Sequence, residues 1–381
     1  MRVVLDARPA LDPIGTGVTH YTRRIVEHLP RADPSSDFVA WYLHARGLFR
    51  SRTFFDDAGP NLVERPSRFP ARIFQPLSWR IGFPRVDRLV GGFDLFVATN
   101  FLPPPTGSPG KIVQVVHDLA FDAFPETAPH IDPRWRRRFR SMLEEAAGAI
   151  VPSAAVADDL VAGYPIGMDR VHVVHHGVDP FEPSTPDEVR RVPAALGIEG
   201  RSVLFVGGIE KRKNIVNLVR AFGRAVEPAT LVIAGGAVRW DPRAGADVDA
   251  AISALPKGRR VVRAGRVSER DKRALLSVAS VLAYPSLAEG FGFPVLEGFA
   301  AGVPVLTSNV SSLPEVAGGA ALLVDPSDPD AIAEGLDRLL SDEALRPALV
   351  RAGRERVALF TWDACARGTA DVLHRAAEGA R

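Results

Sequence analysis

The chain has 381 residues, 46% of them hydrophobic and 24% charged, which suits two packed α/β domains and argues against disorder. Lys plus Arg number 47 and Asp plus Glu 45, a net charge of +2, which excludes a polyelectrolyte built to grip nucleic acid. The single cysteine, Cys365, forms no internal disulfide and no apolar run reaches the ~18 residues of a membrane span, so a cytoplasmic globular enzyme is expected. The start fits that expectation, because Val3-Val4-Leu5 runs into Asp6 and Arg8 with no secretory apolar segment.

In chain order, Val3-Val4-Leu5 reads as a buried strand, followed by a glycine loop and a helix with Tyr21, Ile25 and Leu29 on one face. Further apolar runs of four to seven residues lie at 38–43, 93–98, 111–116 and 171–174. Residues 178–200 have a linker composition, with Pro180, Pro183 and Pro186 followed by Gly197 and Gly200. The rhythm then restarts at 203–206 and continues through 231–234, 261–264, 278–284 and 303–306. Runs bounded by Gly, Pro or polar residues and alternating with amphipathic stretches predict parallel strands buried on both faces. Two doubly wound Rossmann-like domains are expected, each binding ligand at the carboxyl ends of its strands and facing a central cleft. The expected domains are 1–178 and 200–361.

Four stretches are candidates for chemistry. Gly15-Thr16-Gly17 precedes a helix, so Thr16 and Gly17 either cradle an anion or form a plain strand-to-helix turn. His20 stands where a dinucleotide fingerprint has its third glycine, which disfavours a nicotinamide enzyme. His117 closes an apolar strand, where an imidazole serves a sugar hydroxyl or simply caps the strand. Gly207-Gly208-Ile209-Glu210-Lys211-Arg212-Lys213-Asn214 joins a strand to a helix whose face is Ile215, Leu218, Val219, Phe222 and Val226. With Asn214 as N-cap, Arg212 and Lys213 sit at a helix start and suit a diphosphate.

The fourth stretch is Glu289-Gly290-Phe291-Gly292-Phe293-Pro294-Val295-Leu296-Glu297. Pro294 fits the first helical position, which makes Gly290, Phe291, Gly292 and Phe293 a loop and puts Glu297 in the first turn. Two carboxylates flanking a loop of N–H donors suit a polyhydroxylated ligand. No metal site is evident: His172, His175 and His176 lack acidic or thiol partners at ligand spacing, and Asp247-Val248-Asp249 reads as a helix start. Arg134, Arg136, Arg137, Arg138 and Arg140 surround Trp135 and Phe139 in a basic amphipathic helix that suits an anionic membrane surface or a solvated face.

The motifs resemble those of glycosyltransferase family 4, retaining enzymes of the GT-B fold. Glu289 and Glu297 match the family's two glutamates with seven residues between them, within the run 289–305. Glu210-Lys211-Arg212-Lys213-Asn214 matches a second motif, and Ser312-Leu313-Pro314-Glu315 resembles the bacterial mannosyltransferase-like subgroup. Gly15-Thr16-Gly17 and Val116-His117-Asp118 match more loosely, and Val97 and Ala98 stand where the subgroup often has a histidine. The resemblance implies transfer of a hexose, mannose from GDP-mannose in the first instance, to a glycan, lipid-linked or small-molecule acceptor, with anomeric configuration retained and no metal or other cofactor. Arg212 and Lys213 would hold the diphosphate and Glu297 the ribose. Glu289 with Gly290, Phe291, Gly292 and Phe293 would hold the sugar, His117 would touch its 6-hydroxyl, and Thr16 and Gly17 would approach the phosphates. A helix over about 362–381 would return to the first domain. A nucleotide-sugar epimerase, a phosphorylase and a non-catalytic nucleotide-sugar-binding protein share the fold and are the alternatives.

Overall fold

The computed structural model describes residues 1–12, 15–43, 54–55, 58–68, 74, 77–78, 81–128, 131–238 and 240–379. The chain divides into two compact units. The first comprises 1–119, 132–177 and 360–381; the second comprises 120–131 and 178–359.

The first unit holds a seven-stranded, fully parallel sheet ordered β3-β2-β1-β4-β5-β6-β7. Its strands are β1 Arg2–Asp6, β2 Asp37–Leu43, β3 Leu62–Ser67, β4 Leu95–Ala98, β5 Ile112–Val115, β6 Gly148–Val151 and β7 Val171–Val173. Central strands are apolar on both faces because helices cover both: Val3, Val4, Leu5, Leu95, Val97, Val113 and Ile150 are fully inaccessible. The strand order reverses between β1 and β4, which opens a crevice at their carboxyl ends.

The helix Gly17–Ala32 follows β1 and buries Tyr21, Ile25, Val26 and Leu29 on its inner face. The helix Trp362–Gly379 packs along it. Trp362 meets His20 edge-on at 5.3 Å, His28 Nδ1 lies 2.7 Å from Asp363 Oδ1, and His374 Nε2 lies 3.1 Å from Asp33 Oδ2.

The second unit holds a six-stranded parallel sheet ordered β10-β9-β8-β11-β12-β13. These strands are β8 Ser202–Val206, β9 Thr230–Ala234, β10 Arg260–Gly265, β11 Val281–Tyr284, β12 Val305–Ser308 and β13 Leu322–Val324. Here the order reverses between β8 and β11. The β8 and β9 ends pack so closely that a Cβ on Gly235 would stand 1.7 Å from the Gly207 carbonyl oxygen. Only glycine fits there.

Three local expectations differ from the structure. The segment 178–200 contains the helix Pro186–Ala195, because Thr185 and Glu188 form a reciprocal capping box with Pro186 inside the first turn. Val226 lies beyond the helix Ile215–Arg224 and is 78% exposed, so it is not part of that helix's buried face. Val278 ends the helix Glu269–Val278, and the strand starts only at Val281.

Candidate functional site

In the second unit, the loops after β8 and β11 flank the point where strand order reverses, and they bring Arg212, Lys213 and Glu289 together. Lys211, Arg212 and Lys213 form a single 3-10 turn that ends at Asn214. Asn214 stands at the helix start in the left-handed conformation (φ 59°), but its side chain caps no amide. Its Nδ2 donates to the carbonyls of Pro285 at 2.9 Å and Pro326 at 2.6 Å, so Asn214 fastens the basic turn to the β11 loop. Asp241 accepts from the Lys211 amide at 2.8 Å, and the Lys211 side chain pairs with Glu126.

Glu289 is the hub. Its Oε1 accepts from Lys213 Nζ at 2.5 Å, Tyr284 Oη at 2.7 Å and Ser286 Oγ at 2.7 Å, and its Oε2 from Arg212 Nη1 at 3.0 Å. Lys213 also donates to Tyr284 Oη at 2.6 Å, with its ammonium 5.2 Å from that ring's centroid. Arg212 is held on its other side by Glu210 Oε1 at 3.1 Å, and Glu210 accepts from Trp240 Nε1 at 3.2 Å. Lys213, Glu289, Glu210 and Tyr284 are all buried.

The electrostatics follow from that packing. Burial pushes the Glu289 carboxyl upward, but Lys213 and Arg212 outweigh it and hold it at about 2. Burial, and then the charge of Arg212, push the Lys213 ammonium down. Burial, and then the Glu289 carboxylate, push the Tyr284 hydroxyl well up, so it is a neutral hydrogen-bonding group. Two cations and two carboxylates therefore neutralise one another in a water-poor pocket of charge, where electrostatic terms are large.

The loop of Gly290, Phe291, Gly292 and Phe293 leads into the helix Phe293–Ala301. Gly292 has φ +103°, and a Cβ there would press on Leu313 at 2.7 Å. Ser311 Oγ accepts from the Glu289 amide at 3.2 Å, and Ser312 Oγ donates to the carbonyls of Glu289 at 2.9 Å and Phe291 at 3.1 Å. These serines fix the loop's path. Because the helix begins at Phe293, Pro294 is its second residue and Glu297 lies in the second turn, not the first. Glu297 is paired with Lys272 Nζ at 2.8 Å, and Lys272 also meets Glu269 at 2.8 Å.

In the first unit, Thr16 is the N-cap of the helix Gly17–Ala32, its Oγ1 accepting from the Thr19 amide at 3.3 Å. Thr16 and Gly17 are exposed at that helix end. One turn on, the Tyr21 ring packs on His117 at 4.9 Å and on His176 at 4.4 Å. His117 follows β5; its Nε2 donates to the Thr99 carbonyl at 2.8 Å, which leaves Nδ1 facing His176 Nε2 at 3.3 Å. Burial lowers the pKa of His117 and, with the neighbouring histidines, that of His176 well below its ordinary value. Both imidazoles are neutral hydrogen-bonding groups at pH 7. Within the first unit His117 is thus packed with Tyr21 and His176, which the sequence marks only as a helix-face residue and as one of a histidine cluster.

The helix Pro133–Glu145 is capped by Asp132 and buries Phe139 and Leu143. Arg134, Arg137, Arg138 and Arg140 are exposed, and Trp135 stacks on Phe139 at 5.1 Å. Among the described residues no helix is long and apolar enough to cross a membrane. Among them, too, no group of three or more His, Cys, Asp or Glu side chains is disposed to hold a metal.

Residues 15–181 match the family model for Glycosyltransferase Family 4, and residues 191–356 match that for Glycosyl transferases group 1. The O-antigen chain mannosyltransferase B of Escherichia coli is 28% identical over 97% of this chain and 98% of its own. The D-inositol 3-phosphate glycosyltransferase of Salinispora arenicola is 30% identical over 76% of this chain and 70% of its own. Sucrose-phosphate synthase from Thermosynechococcus elongatus shares the fold with a TM-score of 0.75 at 22% identity, covering 100% of both chains.

Proposed function

The chain belongs to glycosyltransferase family 4 and has the GT-B fold, and on that premise we propose a retaining, metal-independent enzyme that moves a hexose from a nucleoside diphosphate sugar. Mannose carried on GDP is the proposed donor. Its support is the likeness to a mannosyltransferase over nearly the whole of both chains. The proposed acceptor is a glycan or a lipid-linked saccharide.

The observation that carries the proposal is the cluster of half-buried Arg212 with buried Lys213 and Glu289 beside the β8–β11 crossing point. Cleavage of the anomeric bond leaves negative charge on the diphosphate and positive charge on the sugar ring. Arg212 and Lys213 stabilise the first through fixed donors, a kind of contribution worth about 3 kcal/mol each. They stand where a metal would otherwise neutralise the leaving group. Glu289 takes the sugar hydroxyls, with its orientation set by Tyr284 and Ser286. Glu297 accepts from the ribose. Thr16 and Gly17 offer helix-end amides to phosphate, and neutral His117 exchanges its Nδ1 contact with His176 for a hydrogen bond from the sugar.

A panel of nucleoside diphosphate sugars, read by thermal shift and by release of nucleoside diphosphate, tests the donor. GDP-mannose is expected to give the largest shift and the fastest release. A larger response to a uridine donor replaces GDP-mannose in this proposal without moving the site. The exposed arginines of the helix Pro133–Glu145 further fit a peripheral contact with anionic lipid, where a lipid-linked acceptor would be met. Co-sedimentation with anionic but not neutral vesicles is the expected result.

A further inference from the structure

The two glutamates of the site are held in different ways. Glu289 is enclosed by four donors, both oxygens engaged. Glu297 has a single hydrogen-bond donor among the described residues, Lys272, whose Nζ meets Oε1 at 2.8 Å. Its Oε2 is engaged by none of them, and the side chain is 27% exposed. One oxygen is anchored and the other is presented.

We infer that Lys272 is a positioning residue for nucleotide binding: it fixes Glu297 as an aligned, ionised acceptor whose second oxygen receives a ribose hydroxyl. The inference rests on the reading of Glu297 as the ribose contact. The charges that act on Glu297 are Lys272 and Glu269 from the helix Glu269–Val278, and Asp179. Burial raises the Glu297 carboxyl, and Glu269 and Asp179 raise it further. Lys272 is the cation that opposes them. Lys272 is itself 15% exposed and is held by Glu269, so its amine is fixed rather than sweeping through solvent. Without it, the carboxyl would be free to rotate and would take up a proton at a higher pH. A protonated carboxyl is a poorer acceptor, so the defect should grow as pH falls.

Calorimetric titration of the full chain with GDP and UDP as probes, from pH 5.5 to 8.5, tests this. Lys272→Met is expected to weaken binding of the preferred nucleotide about tenfold at pH 7, a change of ~1.4 kcal/mol, and more at pH 5.5. Lys272→Arg should return to within about threefold, because a cation still meets Oε1. In turnover, Lys272→Met should raise KM for the donor and leave kcat near wild type, since the ribose is remote from the breaking bond. Lys272→Gln, one bond shorter and with a donor but no charge, should show the same pH-dependent defect and serves if the methionine variant does not fold. Binding within twofold of wild type at every pH, or a pH-independent loss that arginine does not restore, overturns the inference. Glu297→Gln separates it from its premise: wild-type nucleotide binding in that variant would overturn the ribose reading itself.

Discussion

In the second unit, two acidic and two basic side chains lie in one largely buried cluster, each acid within about 3 Å of a basic partner. In the first, the buried candidates are two neutral imidazoles and a phenol packed edge-on and tilted against one another, with a backbone carbonyl as anchor. Both groups stand beside the point where strand order reverses in their own sheet. Under the proposed roles a leaving diphosphate needs fixed charge, and the second unit offers Arg212 and Lys213 side by side in such a cluster. For a sugar hydroxyl the proposed partner is neutral and of defined direction: His117, its Nε2 pinned to Thr99, would give up the Nδ1 contact with His176 to accept from the sugar.

The largest expected effect is at Lys213. Its replacement by alanine removes a cation from the leaving group, so transfer should fall about 10²- to 10³-fold. It also leaves Glu289 buried with one cation fewer, and the cost in stability should be about 3 kcal/mol. A helix-end cation considered alone would be relieved by truncation; the pairing with Glu289 reverses that sign. Turnover and melting temperature of the variant check both parts, and a more stable Lys213→Ala protein would contradict the pairing argument.

Acid should separate the two units next. His117 and His176 have folded pKa values below their ordinary value, so the unfolded chain binds protons first. Their contribution to the first unit is complete above pH ~6.5 and is lost as pH falls below it, by at most about 1.4 kcal/mol per pH unit for each group. Glu289, held at about 2, contributes to the second unit above pH ~4.3 and loses that contribution only between there and about 2. Hydrogen exchange at pH 5.5, corrected for intrinsic rates, should show the first unit loosening while the second holds. Loosening of the β8–β11 region first would break the comparison.

The smallest effect is expected at His117. Replacement by asparagine should cost about one hydrogen bond to the sugar, roughly tenfold in kcat/KM. Nucleoside diphosphate binding should be unchanged, because His117 is assigned to the sugar and not to the phosphates. A matched loss in both would move His117 away from the sugar.

Much of this frame is legible in the sequence because buried parallel strands are short apolar runs between Gly, Pro and polar residues. The runs at 203–206 and 231–234 lie within β8 and β9. β3 escapes that signal, since Leu62–Ser67 lies at a sheet edge, is half exposed and contains Pro66. β6 escapes it too, as the four small or aliphatic residues Gly148–Val151 are separated from a charged helix by only Ala146 and Ala147. The site is legible as motifs but not as contacts. Lys213 and Glu289 are 76 positions apart, and nothing local tells that the glutamate closes on the lysine. Lys272 looks like one more surface cation in Glu269-Arg270-Asp271-Lys272-Arg273, and only the fold turns it toward Glu297.

The central claim is that Arg212 and Lys213, without a metal, carry the diphosphate of a sugar donor. Its most direct measurement is release of nucleoside diphosphate from the preferred donor in excess EDTA, by wild type and by the Arg212→Ala/Lys213→Ala protein, with the anomeric configuration of the product read by NMR. The account predicts undiminished wild-type turnover, an α-linked product from an α-linked donor, and loss of turnover in the double variant. Turnover that stops in EDTA and returns with magnesium or manganese, or that persists in the double variant, would contradict it.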